Sequence, residues 1–273
     1  MRITGLTDVM FILCDPVDHV RGSDLLNRRF AAAGDDVAVS PLHVSPDDLA
    51  AVVGTVRRMR NVAGFGVTIP HKVAVVGLLD DLTDRARLVG AVNFVRRDAD
   101  GRLTGDNVDG GGFLAGLVAD GVTVEDASVL LVGAGGAGRA LAFALAGAGA
   151  RRLAIHNRSR DTAERLAEAV VAAHPACRVV VSDADPAQAD LLVNATSLGL
   201  RPDDPLPADV SRMSPGSAVA EIVIQPRMTP LLEAAVARGL RVSYGQSMLD
   251  GQFGLVRSFV WPDRLPPRAS AAD

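Results

Sequence analysis

The chain has 273 residues, 48% hydrophobic and 22% charged, with a formal net charge of −4. That length accommodates two α/β domains with a cleft between them, and aliphatic residues must fill the cores because aromatic residues make up only 4%. Basic residues occur singly or in pairs such as Arg28-Arg29 and Arg57-Arg58, which excludes a nucleic-acid stripe or a membrane-binding patch and points to a small-molecule partner.

The first ten residues lack the basic-then-apolar layout of a signal peptide and no apolar run is long enough to span a bilayer, so a cytoplasmic location is expected. In chain order, Met10 to Leu13 reads as a strand, and Ser23 caps a helix through Ala33 that Gly34 stops. Cys14, like Cys177, stands outside any C-x-x-C pair and reads as a small buried apolar residue; no metal site is expected. A strand over Val37 to Val44 leads to Ser45-Pro46-Asp47-Asp48, a helix start that carries on to about Met59. Gly64 to Ile69 is a short strand, after which Pro70 opens a helix reaching Leu79. Lys72, the only lysine among 28 basic residues, then falls in a first helical turn, where the macrodipole disfavours a protonated ammonium. Its site calls for what arginine lacks, a compact ammonium able to exchange its proton.

Val92 to Arg96 and Arg102 to Thr104 form a hairpin around Asp98-Ala99-Asp100-Gly101. Strands follow at Ser128 to Val132, Leu153 to His156, Arg178 to Val181, Leu191 to Asn194 and Ala218 to Ile224. Helices over Gly136 to Ala148, Asp161 to Ala173 and Thr229 to Gly239 separate several of them, which implies a parallel sheet. Pro266 to Asp273 reads as part of a flexible tail, 264–273.

Gly133-Ala134-Gly135-Gly136-Ala137-Gly138 follows a strand and opens a helix, matching G-x-G-x-x-G, the backbone turn that receives a dinucleotide pyrophosphate. At the end of the next strand, where NAD binders place an acid, stand Asn157, Arg158, Ser159 and Arg160. Two guanidiniums and a hydroxyl suit a 2′-phosphate, which favours NADP over NAD; Ser159 alternatively caps the following helix.

Three segments occur in order ahead of the glycine loop: Gly64-Phe65-Gly66-Val67-Thr68-Ile69-Pro70-His71-Lys72, Gly90-Ala91-Val92-Asn93 and Gly105-Asp106-Asn107-Val108-Asp109-Gly110. With Asn194-Ala195-Thr196-Ser197-Leu198-Gly199, and Met248-Leu249 followed by Gln252, they resemble the signatures of the shikimate/quinate dehydrogenase family from about Met10 to Phe259. The resemblance implies an α/β fold: an N-terminal α/β substrate domain (1–109, completed by a C-terminal helix, 245–263) plus a Rossmann-type NADP domain with a parallel sheet (110–244). It implies reversible hydride transfer between the nicotinamide and a secondary alcohol of a cyclic hydroxy acid, in quinate/shikimate metabolism and aromatic amino-acid biosynthesis, by a monomer or homodimer. Lys72 and Asp109 match the catalytic positions, and Thr68, Asn93 and Gln252 match substrate positions. Asn194, Thr196 and Ser197 match the loop near the nicotinamide.

Departures from the pattern concern the substrate. The family holds a carboxylate with two serines after a histidine; here His19 precedes Val20-Arg21-Gly22-Ser23, leaving Val20 and Gly22 at the serine positions. Arg21 offers a bidentate replacement, or is a solvated surface residue. Phe94 stands where Thr is usual, Ile224 replaces a tyrosine, and Asp250 adds an acid. Each lost hydroxyl costs about 1 to 3 kcal/mol when the substrate group it served is buried. Another carboxylated alcohol, or a non-catalytic module sensing NADPH and a metabolite, therefore remain alternatives to shikimate or quinate as the reacting partner.

Overall fold

The computed structural model describes residues 3–18 and 20–262, which divide into two units. One runs to Val108 and resumes at Phe253; the other is Asp109–Gln252. His19, residue 263 and the 264–273 tail lie outside the described residues.

In the first unit, β1 (Asp8–Cys14), β2 (Val37–His43), β3 (Val62–Val67), β4 (Asp81–Leu82), β5 (Phe94–Arg97) and β6 (Leu103–Asp106) form one sheet, in the order β2-β1-β3-β5-β6-β4. β1 pairs in parallel with β2 and β3, whereas β5 is antiparallel to both β3 and β6. Alternation along β1 divides the apolar residues between two cores: Met10 and Ile12 join one, Leu13 the other. Helices α1 (Gly22–Ala32), α2 (Leu49–Val56) and α3 (Asp84–Val89) complete this part of the unit.

The second unit begins with α4 (Asp109–Ala119) and continues as β7 (Ser128–Val132), α5 (Gly136–Gly147), β8 (Arg152–His156), α6 (Arg160–Ala173), β9 (Arg178–Val181) and β10 (Leu191–Asn194). It ends with β11 (Ala218–Glu221), α7 (Pro230–Ala237) and β12 (Arg241–Ser243), and the strands run parallel in the order β12-β11-β10-β7-β8-β9. All residues of β7 and β10 are buried, as expected of strands covered on both faces. Strand order reverses between β7 and β10, so their carboxyl ends form the switch point at which doubly wound sheets bind ligands.

Helix α8 (Gly245–Val260) is expected to complete the first unit from 245, but the unit takes it up only at Phe253. There Phe30 meets Phe253 and Trp261 edge-on, each with ring centroids 5.2 Å away, and the Trp261 indole donates to Asp8 Oδ2 at 2.8 Å.

Several expected boundaries move. No α-helix opens at Pro70: residues 69–73 form turns, and Ala74–Leu78 is a 3-10 helix. Val73, Val75 and Val76 are β-branched and Gly77 is flexible, so this segment lacks the propensity for an α-helix. Lys72 therefore sits in a turn, and the macrodipole argument for it loses its helix. Ser45 bonds Asp48 instead of starting a helix, accepting its N–H at 3.2 Å and donating to Oδ2 at 2.8 Å. Asp48 becomes the N-cap residue of α2. Arg21, not Ser23, occupies the N-cap position of α1, while Ser23 turns inward. β11 stops at Glu221, three residues short of the expected end.

Candidate functional site

In the second unit, the loop after β7 has a separate reason for each motif glycine. Gly133 has φ +110°, and a Cβ there would meet the Ala195 carbonyl at 2.8 Å. A Cβ on Gly138 would stand 2.1 Å from the Gly133 carbonyl oxygen, so only glycine lets α5 begin this close to the turn. Around Gly135 the reverse holds: a Cβ would meet nothing within 4 Å. Gly135 is the exposed N-cap residue of α5, followed by the half-buried Gly136 and Ala137, and the first turn carries no acid. An open backbone at the positive end of a three-turn helix fits a pyrophosphate.

Asn157 acts on this loop from the end of β8. Its Oδ1 accepts the Ala134 N–H at 3.1 Å and its Nδ2 donates to the Ser159 carbonyl at 3.0 Å. Ser159 is the N-cap residue of α6 but makes no side-chain cap bond; its hydroxyl accepts from Thr162 at 3.1 Å. Arg160 pairs with Glu164 at 2.9 Å, whereas the exposed Arg158 forms no ion pair among the described residues. Of the two guanidiniums, Arg158 is the one without a protein carboxylate to compete with a phosphate.

Beside Gly133 lies the loop after β10. The buried Asn194 donates through Nδ2 to the Leu198 carbonyl at 3.0 Å and to Glu221 Oε1 at 2.9 Å. Its Oδ1 accepts from the Thr196 N–H at 3.1 Å and the Thr196 hydroxyl at 2.6 Å, and Thr196 Oγ1 in turn accepts from the Leu198 N–H. Asn194 and Thr196 thus shape the loop, and the exposed Ser197 lies within it. Glu221 is absent from the sequence expectations; its signal is a single acid inside Ala218-Val219-Ala220-Glu221-Ile222-Val223-Ile224.

At the head of α4 the Asp109 carboxyl, 3% exposed, accepts from Gln252 Nε2 at 3.0 Å. A Cβ on Gly112 would collide with Gln252 Cγ at 2.3 Å, so the glycines after Asp109 let the start of α8 lie against α4. Two residues 143 positions apart, each expected from its own motif, are brought together.

In the first unit, the turn holding Lys72 is fixed by backbone bonds. The Lys72 carbonyl accepts the Val92 N–H at 2.8 Å, the Thr68 N–H donates to the Leu13 carbonyl, and the buried His71 ring bonds the Val44 carbonyl at 2.8 Å. Asn93, 4% exposed, receives the Val108 N–H on Oδ1 at 2.9 Å, and Asn107 donates to the Ala91 carbonyl. The second and third motifs therefore lock together at Asn93. Asp106 is also fully buried: it accepts from Thr83 and the Asn107 N–H and pairs with Arg85, whose guanidinium is pushed up by that carboxylate. Arg21 is exposed at the N-cap position of α1.

Comparisons with known proteins agree with these motifs. A family model described as the shikimate dehydrogenase substrate binding domain matches residues 12–95, and one described as shikimate / quinate 5-dehydrogenase matches 116–199. A shikimate dehydrogenase (NADP(+)) of Geobacter metallireducens is 40% identical over 276 residues, 98% of this chain and 95% of that protein. The Thermus thermophilus shikimate 5-dehydrogenase solved with NADP(H) and shikimate superposes with TM-score 0.84 at 33% identity, covering 96% of this chain and 95% of that one. The 5-ketofructose reductase of Gluconobacter sp. strain CHM43 superposes equally well, TM-score 0.84 at 32% identity over 95% of both chains.

Proposed function

The chain belongs to the shikimate dehydrogenase family, and from that premise we propose that it interconverts shikimate and 3-dehydroshikimate through Lys72 and Asp109. It is an NADP-dependent oxidoreductase acting on a CH–OH group, as its relatives are named. The observation that carries the residue assignment is the buried Asp109 carboxyl held by Gln252, at the point where the chain passes from one unit to the other.

When bound, the nicotinamide accepts or returns the hydride. The protein's part is to hold it and move the proton. Gly133, Gly135, Gly136, Ala137 and Gly138 would hold the pyrophosphate, with Asn157 stiffening the loop, and Arg158, Ser159 and Arg160 the 2′-phosphate. Asn194, Thr196 and Ser197 would line the nicotinamide side. Lys72 exchanges the hydroxyl proton, Asp109 orients it, and Thr68, Asn93 and Gln252 hydrogen-bond substrate hydroxyls. Arg21 supplies the carboxylate partner that Val20 and Gly22 cannot. The setting is the cytoplasm, with a monomer or homodimer as the working unit; among the described residues no helix is long and apolar enough to cross a membrane.

The absence of hydroxyls at 20 and 22, with a ketose reductase among the structural relatives, favours one second reading: the same chemistry on a different alcohol. A steady-state assay with NADP and a panel of shikimate, quinate and related hydroxy acids separates them. Shikimate is expected to give the highest kcat/KM; a better acid or a neutral polyol would move the assignment to the second reading.

A further inference from the structure

Glu221 is fully buried at the carboxyl end of β11, and its Oε2 has no hydrogen-bond partner among the described residues. A carboxyl so placed forfeits the hydration of one oxygen, which evolution tolerates where the other oxygen has a task. That other oxygen, Oε1, accepts from Asn194 Nδ2 at 2.9 Å. The same strand register aligns Asn194 with Glu221, so the bond is made directly across the β10–β11 pair.

The loop after β10 meets Glu221 at both ends. At its start Asn194 is bonded to the carboxyl. At its end Gly199, with φ +102°, lies so close that a Cβ there would stand 3.8 Å from Oε1 and 3.3 Å from Thr229. Between these anchors Ala195 and Thr196 press on the dinucleotide turn: a Cβ on Gly133 would meet the Ala195 carbonyl at 2.8 Å and Thr196 Cγ2 at 2.9 Å. A shift of this loop is thereby transmitted to Gly133 without any intervening residue.

We propose that Glu221 is a positioning residue for the dinucleotide site, holding the Asn194–Gly199 loop through Asn194 so that it braces the Gly133 turn. This rests on reading Gly133 to Gly138 as the NADP loop. Burial pushes the carboxyl up, against the smaller opposing effects of the Asn194 amide and the nearby Thr229 hydroxyl. It touches no reacting atom.

The test uses the full chain as wild type, Glu221→Gln, Glu221→Leu and Glu221→Ala, with two readouts: amide exchange of ligand-free peptides covering 194–199, and NADPH affinity by fluorescence titration. Gln keeps an acceptor for Asn194 without a charge, and is expected within about twofold of wild type in both readouts; Leu and Ala each remove the bond and are expected to speed exchange and raise the NADPH Kd about tenfold. The KM for the alcohol should stay within about twofold throughout, because the substrate residues are untouched. Wild-type exchange and affinity in the Leu and Ala variants would overturn the proposal, and Glu221→Ala decides alone if Glu221→Leu does not fold. If the wild type binds no NADPH, the functional reading falls, and the exchange data still judge the Glu221–Asn194 clamp.

Discussion

At the scale of single residues, Lys72 is conspicuous because arginine serves at every other basic position, and Asp109 because it closes a motif. What lies around them was less legible. The turn at 69–73 follows from backbone preferences of valine and glycine that the proline at 70 masks, and the Gln252 bond to Asp109 joins residues too distant for any local pattern. Glu221 is not legible locally, because an acid inside an apolar strand has a meaning only once its neighbour across the sheet is known. For the cofactor, Arg158→Ala should weaken NADP binding by about tenfold to a hundredfold, the cost of a charge-assisted phosphate contact, while leaving NAD binding unchanged. Arg160→Ala should do less, since that guanidinium already serves Glu164. Fluorescence titrations with both dinucleotides check this, and an unchanged NADP to NAD ratio in Arg158→Ala would remove that residue from cofactor choice.

Among elements, the glycine loop was readable because strand, turn and helix each announce themselves in order. The division of labour among its glycines emerges only in three dimensions. Gly135→Ala, which meets open space, is expected to melt like the wild type yet lose NADPH affinity, because its methyl enters the volume reserved for the pyrophosphate. Gly138→Ala drives a Cβ into the Gly133 carbonyl oxygen and should lower stability by about 1 to 3 kcal/mol even without cofactor. Thermal melts paired with NADPH titrations distinguish the two; equal melting losses would mean that Gly135 is structural. Strand ends were the least legible feature: β11 stops at Glu221, although Ile222 to Ile224 keep the apolar pattern.

Across the whole molecule, alternating strands and helices forecast the parallel sheet of the second unit, whereas the passage of α8 from one unit to the other at Phe253 has no sequence marker. Phe253→Ala should destabilise the first unit by about 3 to 5 kcal/mol, read from the emission of the single tryptophan, Trp261, during urea unfolding; an unmoved midpoint would contradict the packing of Phe253 on Phe30. Glu221 gives the molecule a pH signature. Its carboxyl is raised by burial, so between the ordinary carboxylate range and the raised value the folded state binds more protons than the unfolded one. Wild-type stability should therefore fall as pH rises through that window, and Glu221→Gln, which cannot ionise, should gain on the wild type over the same interval; parallel melting curves at all pH values would count against a raised Glu221 carboxyl. The central claim, proton exchange by Lys72 during alcohol oxidation, is tested most directly by following NADPH formation from NADP and shikimate in the wild type and in Lys72→Ala, with NADPH Kd measured for both. The account predicts turnover by the wild type, a loss of about a hundredfold or more in kcat for the variant, and equal Kd values; a variant that turns shikimate over as fast as the wild type would contradict it.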